Sequence, residues 1–280
     1  MKGKGDRAVI PNFAKRVSQF VDKFDRSDSN LPLVHISPIS KVRLMAKGDS
    51  IAPAKCPRMK EEIIYMFYGR PAYRTKESAS ELLAWNNPIA FIVDKSKARR
   101  VRKIFPFDSG AFIDGHYGRV FPEESKVSYF ELNPTMDSIG KFITAFYEGS
   151  SKNYMAGKSD ANHVFSDFDF ELQGVQHLAT RPGSQFYHAY DESKKVRVDE
   201  RASALELQIQ NELHFPDDIS YILVPETIIT DDIFQTIMRK WSITDDKIIP
   251  YQVVFGAGLA AWTGSMYQKL IEIYKQDKII

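Results

Sequence analysis

The chain has 280 residues, a net charge of +2, a single cysteine, and 43% apolar against 26% charged residues. That balance belongs to an ordinary folded protein and argues against disordered, fibrous and disulfide-stapled classes. Near-neutrality also argues against a chain whose whole surface binds nucleic acid. The basic opening MKGKGDRAVIPNF lacks the apolar core of a signal peptide, and no stretch approaches bilayer-spanning length, so a cytoplasmic protein without membrane partners is expected. Length allows one large domain or two small ones. One domain over 1–280 is expected, with a helix and linker in 1–30 and a packing helix in 257–280.

Phe13, Val17, Phe20, Val21 and Phe24 recur at helical spacing and predict the first helix. Leu31 to Ser37, LPLVHIS, reads as a strand, and the proline-led PISKVRLMAKG after it as a short helix, which puts His35 and Ser37 at a strand-to-helix junction. IIYMFYGRPAYR, Ile63 to Arg74, is an apolar and aromatic strand that stops at Gly69. Helix-forming residues in ESASELLAWNN predict a helix, Pro88 to Val93 a strand, and FPFDSGAFIDGHYGR, Phe105 to Arg119, an ordered loop. That loop either offers Asp108, Ser109, Asp114, His116 and Tyr117 to a ligand or packs its own aromatics over a sheet edge.

KVSYFEL at 126–132 is expected as a strand, Ser138 to Tyr147 as an amphipathic helix, and DFDFELQGV as an edge strand because acid and apolar residues alternate. In ASALELQIQNEL, Ala202 to Leu213, the period is two: Leu205, Leu207 and Ile209 on one side, Glu206, Gln208 and Gln210 on the other. Glu206 therefore stands away from the core, facing either solvent or a site. ISYILVP and IIPYQVVF read as strands, with helices over Asp231 to Trp241 between them and Leu259 to Tyr274 at the end. Short strands, long loops and helices clustered early and late point to an α+β fold.

Arg70, a planar and permanently charged fork after a glycine, suits a carboxylate or diphosphate, or else makes a structural ion pair. KSKARRVRK, Lys95 to Lys103, carries six cations and no acid, which makes it either a solvated face or a contact to a phosphate backbone. The histidines make no metal-ligand spacing, and no P-loop, dinucleotide fingerprint or nucleophile elbow is present.

LVHIS, FYGRPAY and ALELQIQ, in that order, resemble the ADP-ribosyltransferase fold, and most closely its DarT-type branch. The resemblance covers about a third of the chain. It implies a split β-sheet core with flanking helices and long loop insertions, NAD as substrate, no metal, and a nucleic-acid acceptor, DNA or RNA. It also implies a role as toxin or defence effector, with an antitoxin or inhibitor protein as partner. Glu206 and Arg70 would be catalytic. His35, Ser37, Tyr68, Arg70 and Tyr73 would hold NAD, Tyr68 or Tyr73 stacking on nicotinamide, and Arg99, Arg100 and Arg102 would touch nucleic acid. Ala72 and Tyr73 depart from the family's pattern after the proline, and Glu200 and Glu212 compete with Glu206 for the catalytic place. The alternative is a non-catalytic binding or regulatory module of α+β fold. The enzyme reading expects His35, Arg70 and Glu206 to converge on one cleft.

Overall fold

A computed structural model describes residues 14–73, 83–117, 120–180, 203–253 and 258–280. The elements are α1 (Arg16–Val21), β1 (Leu33–Pro38), α2 (Ile39–Met45), β2 (Ser50–Ile51), β3 (Ala54–Lys55), β4 (Glu62–Tyr68), β5 (Pro88–Val93), β6 (Val101–Phe105), α3 (Ser109–Ile113), α4 (Met136–Tyr147), α5 (Ser151–Ala156), α6 (Phe170–Thr180), β7 (Glu206–Ile209), β8 (Leu213–His214), β9 (Tyr221–Pro225), α7 (Asp232–Lys240), β10 (Ile248–Tyr251) and α8 (Gly258–Gln276). Helices and a mixed sheet make the protein mixed α and β.

The main sheet runs β10-β9-β5-β1-β4-β7-β6, with β3 beside the start of β4; β2 and β8 form a separate ribbon. Neighbours are antiparallel except β9 and β10. That parallel pair needs a crossover, and α7 supplies it. Every residue of β5 is buried, as its apolar run PIAFIV requires of a strand between β1 and β9. The sheet's outer strands are marked differently: β10 contains Pro250, and β6 is irregular between Val101 and Lys103.

Helix α4 buries Ile139, Phe142, Ile143 and Phe146, the stripe its spacing predicts, and Thr135 caps it through Ser138 N. Phe20 of α1 and Phe146 pack against Phe165 and His163, whose Nε2 lies 2.6 Å from the Ala145 carbonyl.

Several expected elements differ. The 126–132 stretch is a turn of 3₁₀ helix at Val127–Tyr129, reaching the sheet only through a bridge between Leu132 and Ile104. The DFDFELQGV stretch becomes the start of α6, because Leu172, Val175, Leu178 and Ala179 supply a helical stripe beyond the alternating acids. Phe168, on which the strand reading leaned, is 76% exposed. The 105–119 loop contains α3, which Asp108 caps through Ala111 N. Its rings Phe107 and Phe112 stack 5.5 Å apart and meet Phe121 and Phe130, so it packs its own aromatics. The helix expected in ESASELLAWNN falls largely outside the described residues; its end is a 3₁₀ turn at Ala84–Asn86.

Gly69 ends β4 with φ of 67°, and a Cβ there would meet Leu31 Cδ1 at 2.7 Å and Met155 Sδ at 3.1 Å. Both the left-handed backbone and the close neighbours demand glycine. Gly69→Ala is expected to lower stability by about 1–3 kcal/mol, read as a drop in Tm; an unchanged Tm would contradict this packing.

Candidate active site

Glu206 opens β7, a strand flanked on both sides, where it pairs with Phe67 of β4 and Phe105 of β6. Its side chain is fully buried. The solvent-facing alternative for Glu206 is therefore corrected: the turn carrying Ser109 lies over the face from which Glu206 projects, and Gln208 is buried as well. Ser109 N donates to Oε2 at 3.0 Å and Ser109 Oγ to Oε1 at 2.7 Å, while Gln208 Nε2 donates to Oε1 at 2.8 Å. Burial, reinforced by the nearby charge of Asp108, pushes the Glu206 carboxyl up to about 8 against the pull of its donors. Tyr65, cross-strand from Gln208, bonds its hydroxyl to Cys56 Sγ at 2.9 Å, and burial pushes its acidity well out of reach.

Arg70 is 4% exposed. Its guanidinium lies 4.1 Å from the centre of the Tyr154 ring, and Nη1 donates to Ser203 O at 3.0 Å and Ser203 Oγ at 2.7 Å. Tyr147 and Tyr267 lie close by, yet neither Nε nor Nη2 has a partner at normal hydrogen-bond geometry. Burial pushes the Tyr147 and Tyr154 hydroxyls up, and the Arg70 charge draws them back. Tyr154 Oη also donates to Tyr68 O at 2.8 Å and accepts from Leu205 N at 3.0 Å, bridging β4 and β7 where their ladder ends.

Arg70 and Glu206 thus lie at the same end of neighbouring strands, but they do not converge. Glu206 shares a face with Phe67 and Phe105, whereas Tyr68 and Leu205, one step along, point to the other face. Arg70 stacks on Tyr154, which packs against Tyr68 at 5.9 Å between ring centres. The common cleft expected for His35, Arg70 and Glu206 is therefore corrected: alternation along β4 and β7 separates the guanidinium from the carboxyl.

His35 Nδ1 lies 2.9 Å from the Tyr65 carbonyl, which can only accept, so Nδ1 carries the proton and Nε2 accepts from Ser37 Oγ at 2.9 Å. Burial lowers its proton affinity, consistent with a neutral ring. Tyr68, expected to stack on nicotinamide, is instead a core residue, 1% exposed, with its hydroxyl bonded to Ser29 Oγ at 2.9 Å and to Leu31 N at 3.1 Å. Tyr73 is half-buried and donates to Asn86 O at 2.8 Å. Of the competing glutamates, Glu212 is exposed and accepts from Ser50 Oγ at 2.8 Å, and Glu200 lies outside the described residues.

The basic run folds into a turn and the first half of β6. Acids absorb much of its charge: Lys97 and Arg99 meet Asp218 at 3.1 and 3.4 Å, and Arg102 and Lys103 meet Glu61 at 3.0 and 3.1 Å. Lys103 and Arg102 hold Glu61 below the usual carboxylate range. The side chains of Arg99 and Arg102 remain 61% and 55% exposed. Arg100 is exposed, its backbone N donating to Asn211 Oδ1.

Sequence reasoning did not find Tyr147, Tyr154, Tyr267 or the bond from Gln208 to Glu206, and it named Ser109 only as one of several loop residues. Their convergence depends on long-range packing with no local pattern. Among the described residues there is no group of three or more potential metal ligands and no helix long and apolar enough to cross a membrane. No protein-family model, curated protein or solved structure matches the chain.

Because folding raises the affinity of Glu206 for its proton, the native state binds that proton more tightly between the ordinary glutamic acid value of 4.5 and about 8. The stability this contributes is full below the unfolded value and is lost as pH rises towards 8. A loss on the order of a few kcal/mol is expected over that window. Glu206→Gln, which imitates the neutral acid, should flatten the pH dependence of Tm; a slope unchanged by this substitution would place the titration elsewhere.

Proposed function

We propose that the protein is an NAD-dependent ADP-ribosyltransferase of DarT-like character, a glycosyl-transferring enzyme acting without a metal on a nucleic-acid acceptor. The observation that carries this reading is Glu206: a carboxyl buried on an inner strand, bonded by Ser109 and Gln208, with its proton affinity raised to about 8. Such a group is suited to proton transfer near neutral pH. Cleaving the bond between nicotinamide and ribose develops positive charge on the sugar, which a carboxylate stabilises, and the same group can take the acceptor's proton. Arg70 Nε and Nη2 are buried beside Tyr147 and Tyr267 with no partner at normal hydrogen-bond geometry, which fits an anion such as a diphosphate. His35 and Ser37, bonded to each other, would position the adenosine-side ribose, and Tyr73 would contact nicotinamide. The biological role proposed with this activity is that of a toxin or defence effector held in check by an inhibitor protein.

A non-catalytic binding or regulatory module is the second reading, and the separation of Arg70 from Glu206 across the sheet favours it. Nicotinamide release from NAD decides between them. The enzyme reading expects release to rise about tenfold per pH unit up to about 8 and then level off, as the working carboxylate forms. It also expects Glu206→Gln to lower the rate by about 10²–10³-fold while NAD binding survives, and Arg70→Ala to weaken binding too. Wild-type protein that neither binds nor cleaves NAD would leave the second reading standing.

For the acceptor, the exposed Arg99, Arg100 and Arg102 lie at or just before β6, beside the strand that carries Glu206. Single-stranded DNA or RNA is expected to bind with an affinity that falls steeply with salt, and replacing the three arginines by alanine should reduce that slope by up to about three. An unchanged slope would point to a different acceptor surface.

A further inference from the structure

We propose that Ser109 and Gln208 are the positioning residues of Glu206, forming a closed ring of hydrogen bonds that occupies Oε1 and leaves Oε2 as the oxygen with a spare lone pair. This rests on the enzyme reading for its consequence and on the geometry alone for its existence. Gln208 Nε2 reaches two oxygens, Glu206 Oε1 at 2.8 Å and Ser109 Oγ at 3.2 Å. Those two oxygens are only 2.7 Å apart, too close for the two diverging N–H bonds of an amide to point at one each, so a single proton is shared between them. Ser109 Oγ, accepting a share of that proton, has its own single proton directed to Glu206 Oε1 at 2.7 Å. The ring therefore has one sense: Gln208 donates to Ser109, and both donate to Oε1.

The two oxygens of Glu206 are consequently unequal. Oε1 receives two donors and is saturated, whereas Oε2 receives only Ser109 N at 3.0 Å and keeps a lone pair. Three contacts from two residues fix the plane of the carboxyl, the preorganisation that charge stabilisation requires. Strand geometry supplies half of the clamp, because Glu206 and Gln208 are two apart on β7 and project to the same face. The turn after β6 supplies the other half, since Ser109 follows Asp108 at the start of α3. The Gln208 amide is held by nothing else: its Oε1 is buried and has no partner, so the residue's bonding is directed wholly at the clamp. The titratable groups around the ring are Asp108 and, on β4, Tyr65 with Cys56 behind it; Lys103, opposite Gln208 on β6, is turned to Glu61.

The test is a titration of the Glu206 side-chain carboxyl by carbon NMR in wild type, Ser109→Ala, Ser109→Thr and Gln208→Met, with Tm measured on each. Removing a donor that favours the charged form should raise the midpoint by about one pH unit in Ser109→Ala and in Gln208→Met, while Ser109→Thr, which keeps the hydroxyl, should titrate like wild type. In nicotinamide release, Ser109→Ala and Gln208→Met should lower kcat about tenfold or more with little change in KM for NAD. A Glu206 midpoint that is the same in all four folded proteins would overturn the clamp. If wild type releases no nicotinamide, the enzyme reading fails by itself, and the titration still decides whether the ring exists. Should Ser109→Ala fail to fold, Gln208→Met, close in volume and also apolar in the core, carries the decision.

Discussion

An ionisable carboxyl placed on an inner strand is the constraint on which the rest of this site depends. Strand β7 lies between β4 and β6, and the turn carrying Ser109 lies over the face from which Glu206 and Gln208 project, so both side chains are enclosed. A buried acid without partners would be strongly destabilising, and the fold answers with donors from β7 itself and from the turn that ends β6. Much of the 105–117 stretch follows from that need. Asp108 caps α3, Ser109 is brought against the carboxyl, and the rings of Phe107, Phe112 and Phe121 close the turn from behind. The nearby acid and the dry surroundings then keep the proton on Glu206 up to about 8.

The helical side of the sheet handles a cation by different means. Arg70 is buried among aromatic rings, stacked on Tyr154 and bonded to Ser203. Tyrosine serves twice here: its ring face attracts the guanidinium, and the Tyr154 hydroxyl links Tyr68 O to Leu205 N beside the direct bond from Tyr68 N to Leu205 O at 2.9 Å. Tyr274 of α8 adds a bond to the Gly69 carbonyl at 3.1 Å, tying the C-terminal helix to the same corner. Position, charge and enclosure at Arg70 are thus set by α4, α5 and α8 together.

Much of this framework was legible in the sequence where the local pattern was strong. The strand-to-helix step at Pro38, the glycine stop after β4 and the stripe of α4 lie where periodicity and turn chemistry put them, whereas β7 covers only Glu206–Ile209 of the expected strand and is buried throughout. Failures share a cause. The 167–175 stretch alternates briefly and then becomes helical, and a short window gives the wrong period the greater weight. KVSYFEL has strand-forming residues but reaches the sheet only at Leu132. At the site, alternation separated Glu206 from Leu205 but could not reveal that both faces of β7 are covered. That depends on which turns and helices pack over the sheet, as does the enclosure of Arg70.

The two outer strands of the main sheet have a consequence for the molecule's behaviour in a crowded solution. A free strand edge is a template for another chain, and long, regular, uncharged edges are those that assemble into fibres. Here one edge carries Pro250, which has no backbone proton to offer. The other carries Arg102 and Lys103 beside an irregularity in the ladder. Both ends of the sheet therefore discourage the addition of a further strand, so the same cations that are candidates for recognising a polyanion also help keep copies of the protein apart.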